Sequence, residues 1–86
     1  MHECKYIVIE NGNLKSMIIF GQEFSHADMA FKIEKKVVSA GFIGMGLDPN
    51  THNPTVQAYG ESVSMNIKSE PERDTKLAKR IFAVED

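Results

Sequence analysis

Apolar positions fall in short blocks along this chain, and the spacing inside each block predicts an element. The run Val37-Val38-Ser39-Ala40-Gly41-Phe42-Ile43-Gly44-Met45-Gly46 is apolar on both faces, β-branched at its start and small at several positions. It is too short to span a membrane and too rich in glycine for a stable helix. Apolarity without alternation predicts a strand covered on both sides, the centre of one small sheet. Its glycines admit a close second backbone or a partner, or mark bulges.

Around it the other blocks order themselves. Cys4–Glu10 predicts a first strand through Tyr6-Ile7-Val8-Ile9, and Asn11-Gly12 a tight hairpin turn. Leu14–Phe20 is the return strand, with a register that depends on whether Asn13 joins the turn. Both strands are apolar on two sides, so one face is expected to cover a helix and the other to meet a second subunit. After a loop at 21–24, Ser25 is the expected N-cap and Asp28 the third residue of a helix over His26–Lys35. Met29, Ala30, Ile33 and Val37 share its apolar face, and Phe31 points elsewhere.

Leu47–Pro54 reads as a turn-rich loop and a candidate binding loop, and Thr55–Tyr59 as a strand antiparallel to the central one. Gly60 breaks that strand, and the alternation across Ser62–Ile67 predicts a further, half-exposed one. Ser69 as N-cap, Pro71 in the first turn and Glu72 closing a capping box predict a helix over Glu70–Phe82. Its apolar stripe is Leu77, Ala78, Ile81 and Phe82, and Val84-Glu85-Asp86 is expected to fray. The order β-β-α-β-β-β-α makes residues 1–86 one α+β domain built on a small, mostly antiparallel sheet with two helices.

Size and charge narrow the function classes. A chain of 86 residues buries a modest core, and association into a homo-oligomer is the expected remedy. The lone Cys4 makes no internal disulfide and is read as a small apolar residue of a cytoplasmic protein. A formal net charge of −2 argues against duplex nucleic acid as a partner. No signal peptide is read at the start, and charges interrupt every apolar stretch, so no membrane span is expected.

Candidate chemistry is sparse. His2, His26 and His52 lack the i, i+4 spacing of a zinc site, and no second cysteine assists, so no metal is expected. The glycine run has no Walker lysine and no dinucleotide spacing. Ser62 and Ser64 sit outside any G-x-S-x-G elbow, so no catalytic residue is assigned and no enzyme or cofactor is expected. Binding is the better reading. His26 opens a helix whose free N–H groups favour anions. Tyr59 is a surface for stacking, and Ser62 and Ser64 are strand hydroxyls able to hydrogen-bond a ligand. Arg73 belongs to a basic face with Lys76, Lys79 and Arg80, interleaved with Glu70, Glu72 and Asp74.

Taken in order, Lys5-Tyr6-Ile7-Val8-Ile9, Ser25-His26-Ala27-Asp28-Met29-Ala30, Val37-Val38-Ser39-Ala40-Gly41-Phe42 and Tyr59-Gly60-Glu61-Ser62-Val63-Ser64 resemble a family of small phage- and prophage-encoded proteins. The resemblance implies a non-enzymatic host-defence antagonist in the host cytoplasm. One form sequesters a cyclic nucleotide or related immune signal at an oligomer interface, with His26, Tyr59, Ser62, Ser64 and Arg73 as the residues to examine. The alternatives are an anti-CRISPR-like inhibitor that binds a host defence protein, or a phage structural or assembly module.

Overall fold

The computed structural model describes residues 2–84, the side chain of His2 excepted. The expected fraying of Glu85 and Asp86 lies outside the described residues. Eight elements follow one another: β1 (His2–Asn11), β2 (Leu14–Phe20), α1 (His26–Ile33), β3 (Lys36–Leu47), β4 (Pro54–Tyr59), β5 (Glu61–Ser62), β6 (Ile67–Lys68) and α2 (Pro71–Phe82). The fold is α+β. Four strands form one antiparallel sheet in the order β2-β1-β3-β4, and β5-β6 is a separate two-stranded ribbon.

The first hairpin closes through Gly12 and Asn13, with Asn11 opposite Leu14, which fixes the register. Gly12 takes φ +66°, the left-handed value that glycine reaches without steric cost at the head of a two-residue loop. β1 and β3 occupy the middle of the sheet, and the apolar run read as the central strand is all β3. A register shift between Val8 and Ile9 leaves Val38 as the extra residue, so Val38 packs on the Val8 face while Val37 packs beside Ile9 on the other.

Each face of the sheet has its own cover, supplied by this chain. Tyr6, Val8, Ile43, Val56 and Ala58 point to one face and bury against Ala78 and Leu77 of α2. Ile7, Ile9, Phe20 and Ala40 point to the other and meet Met29, Ala30 and Ile33 of α1, with Ile67 of the ribbon beside them. The expected arrangement, one face for a helix and one for a subunit, is therefore corrected. Alternating side chains of β1 feed two half-cores, and two helices on opposite sides close them. Among the described residues no helix is long and apolar enough to cross a membrane.

Three local expectations also change. The alternating stretch Ser62–Ile67 is not one strand: residues 63–66 turn, Asn66 takes φ +55°, and only the ends pair, as Ser62 with Ile67. The Ser62 hydroxyl accepts from the Met65 amide at 3.3 Å, a side-chain-held turn that competes with the extended backbone. The last helix is not capped by Ser69. Glu70 holds the cap position with no side-chain cap bond, and Asp74 reaches back to accept from the Glu70 amide at 2.9 Å. Finally, α1 stops at Ile33, where Glu34 turns left-handed (φ +57°), and Ile81 and Phe82 of the expected stripe stay exposed while Val84 packs against the core.

Candidate functional site

The residues singled out in the sequence divide between the two faces of the sheet. On the α1 face, Ser25 caps the helix by accepting from the Asp28 amide at 3.0 Å, which sets His26 in the first turn. The ring is buried and aimed at the sheet: Nε2 lies 2.8 Å from the Gly41 carbonyl oxygen. A carbonyl only accepts, so Nε2 carries the proton. The imidazole stands edge-on to Phe20 and Phe42, with centroids at 5.6 and 5.5 Å, and Phe42 stacks on Tyr59 at 6.0 Å. His26 is thereby consumed by packing and one backbone bond. Tyr59 keeps an exposed edge over Gly44.

Ser62 and Ser64 serve their own ribbon. Ser62 is fully buried, and its Oγ lies 3.3 Å from Ser64 Oγ. Neither belongs to the His26–Tyr59 row through any hydrogen bond. The loop read as a binding candidate is ordered by Asp48: its Oδ1 accepts from the amides of Asn50 (2.8 Å) and Thr51 (3.1 Å), and its backbone closes on His52 and Asn53. This loop and the end of α2 border a hollow of about 580 Å³, where Asp48 is the one charged residue of the lining among the described residues.

Arg73 lies on the other face, with the sheet between it and His26. Its Nη2 donates to the buried Ser39 hydroxyl at 2.9 Å and its Nε to Asp74 Oδ1 at 3.1 Å. The second carboxylate oxygen of Asp74 accepts from Tyr6 Oη at 2.6 Å and from the Glu70 amide. Tyr6, Ser39 and Asp74 have no solvent exposure, yet every buried side-chain polar atom among the described residues has a partner. Burial first, and then the neighbouring Asp74 carboxylate, push the Tyr6 phenol well above its ordinary range.

This network was hidden in the sequence because no local spacing joins residue 6 to residue 74. Asp74 alone left a trace, as a carboxylate four positions after the cap residue and three after a proline.

Its effect is to hold Arg73 fixed at the inner wall of a groove. The groove, of about 280 Å³, lies between the tip of the β1–β2 hairpin and α2, and is lined by Asn13, Leu14, Lys15, Arg73, Lys76, Leu77 and Arg80. Spacing of three and four residues puts Arg73, Lys76, Leu77 and Arg80 on one side of α2. The hairpin then brings in Lys15, which the sequence places 58 positions before Arg73 (73 − 15). Among the described residues no carboxylate lines this groove; Glu10, cross-strand from Lys15, and Glu72, one turn before Lys76, lie outside its wall. A chain of net charge −2 thus gathers four cations in one concavity. Among the described residues, no group of three or more histidine, cysteine, aspartate or glutamate side chains is placed to hold a metal ion.

Comparison with known protein families, with curated proteins and with solved structures yields no match to this chain.

Proposed function

We propose that this protein binds a phosphate-bearing small molecule, without transforming it, in the groove formed by Lys15, Arg73, Lys76 and Arg80. One observation carries the reading: four cationic residues and, among the described residues, no carboxylate line a concavity large enough for a phosphate with part of a sugar or base. Arg73 is the anchor, since its guanidinium is already oriented by Ser39 and Asp74 and loses little freedom on binding. Lys76 and Arg80 add charge from the adjoining turn. The wall otherwise offers one amide and two leucines, groups that hold a ligand and supply neither nucleophile nor general base.

A nucleotide signal of the kind expected from the sequence meets this chemistry, and capture without turnover is the corresponding role. The site assignment shifts accordingly. Of the five residues first considered, Arg73 belongs to the groove, while His26, Tyr59, Ser62 and Ser64 lie apart from it.

Isothermal titration with inorganic phosphate, pyrophosphate, a mononucleotide and a cyclic dinucleotide tests the proposal. Binding of at least one of the nucleotides is expected, and Lys76→Glu combined with Arg80→Glu should weaken it by more than about a hundredfold, roughly 2.7 kcal/mol. Added salt should weaken it as well, because the cations are solvent-facing. Absence of heat with all four ligands, in a sample shown to be folded, would remove the reading.

A further inference from the structure

The two edges of the four-stranded sheet are treated differently. On β4, the edge is plugged from within the chain: the Ala58 amide donates to Thr75 Oγ1 at 2.9 Å, and the Ala58 carbonyl accepts from Gln57 Nε2 at 3.1 Å. Pro54 begins that strand with no N–H at all. On β2, the two-residue loop makes Asn11–Leu14 the first hydrogen-bonded pair of the hairpin, so Leu14, Ser16, Ile18 and Phe20 turn their backbone groups toward β1. Lys15, Met17 and Ile19 turn theirs outward, and among the described residues no side chain bonds them. Met17, Ile18 and Ile19 are also only half-buried. An edge with outward N–H and C=O groups and residual apolar surface is a template for another strand.

We infer that this edge pairs with β2 of a second copy, antiparallel and centred on Ile18, to join two four-stranded sheets into one. The outward parity of Lys15, Met17 and Ile19 allows a two-fold axis through a residue and not between residues. Centring on Ile18 sets it against its own copy and Met17 against Ile19 of the second copy, which matches the apolar half of the strand to itself. The same register puts Lys15 opposite Gly21 of the second copy.

That pairing is complementary in charge. Gly21 has no side chain, and the space its Cβ would fill is taken by the carboxylate of Glu23. Gly21 is the first residue after β2, and one further step of the period-two alternation puts its Cβ direction on the face of Lys15. Each Lys15 therefore meets a Glu23 carboxylate of the second copy, twice per dimer. Both residues are exposed in the single chain, and among the described residues Glu23 makes no hydrogen bond or ion pair.

A charge exchange followed by sedimentation equilibrium tests this. The unaltered protein should dimerise. Lys15→Glu or Glu23→Lys should each weaken the dimer about tenfold or more by setting like charges opposite, and the double exchange should restore most of the loss. Lys15 also lines the ligand groove, so a variant outside that lining, at Met17, separates this surface from the binding proposal. Met17→Pro, which removes an outward N–H and leaves the ladder to β1 intact, should also yield monomer, with circular dichroism confirming the fold. A monomeric unaltered protein, or a double exchange no better than either single one, would overturn the inference.

Discussion

Tyr6 Oη donates to Asp74 Oδ2 at 2.6 Å across 68 positions of sequence, and so ties the inner strand β1 to the last helix. The same carboxylate oxygen supplies α2 with its missing N-terminal acceptor, and the other one orients Arg73. One buried side chain thereby performs a cap, a tertiary link and the placement of a binding residue. Tyr6→Phe leaves Asp74 short of one donor and is expected to cost about 1–3 kcal/mol. Asp74→Ala removes all of its bonds together and should cost about 3 kcal/mol or more. Urea melts of the two variants check this, with the ordering Asp74→Ala worse than Tyr6→Phe.

The same pair predicts a response to alkali. The phenol of Tyr6 is raised above the ordinary tyrosine value of 10.0, chiefly by burial. Above that pH the unfolded chain loses a proton that the folded chain retains, so stability falls as pH rises. Below it both states hold the proton and the contribution is constant. The midpoint of thermal unfolding should therefore decline from about pH 10 upward, and the Tyr6→Phe variant should show a shallower decline over the same window. Equal slopes for the two proteins would contradict this account.

Gly41 of β3 is more tightly enclosed than Gly44 of the same strand. A Cβ built at Gly41 falls inside contact distance of the Tyr59 carbonyl oxygen and 3.3 Å from Ser69 Cβ. The first obstacle is backbone, which does not swing aside as a side-chain tip would. Gly41→Ala should cost about 1–3 kcal/mol through overpacking, measurable as a lower denaturant midpoint with unchanged slope.

His26 gives a discriminating case, since it was a binding candidate and is found buried. His26→Ala removes the donor to the Gly41 carbonyl and opens a void between Phe20 and Phe42. A loss of about 2–4 kcal/mol is expected. Nucleotide affinity, measured at a temperature where the variant is folded, should be unchanged. A loss of affinity without loss of stability would return His26 to the site.

Much of the architecture was readable because local chemistry and tertiary packing agree. Asn11-Gly12 did mark a hairpin, Ser25 does cap α1, and the continuous apolar run is covered on both sides as β3. The sequence is ambiguous where two local codes compete. Ser62, Ser64 and Asn66 alternate with apolar residues as a strand would, yet the Ser62 hydroxyl and the left-handed Asn66 favour a turn. Ser69-Glu70-Pro71-Glu72 carries a capping pattern, but the Ser69 amide bonds the Gly60 carbonyl and Asp74 takes over the cap. The groove was half-visible: the cations of α2 follow helical spacing, whereas Lys15 joins them only through the fold.

The placement of β1 also bears on how the chain is made. This strand leaves the ribosome well before α2, and one of its faces presents Tyr6 and Val8 to that helix, which begins at Pro71. Until that helix emerges, the nascent sheet shows a bare greasy side and a phenol with no acceptor. Synthesis at about 5–20 residues per second leaves this half-built state exposed for seconds, an interval in which chaperones have a substrate and truncated products clump.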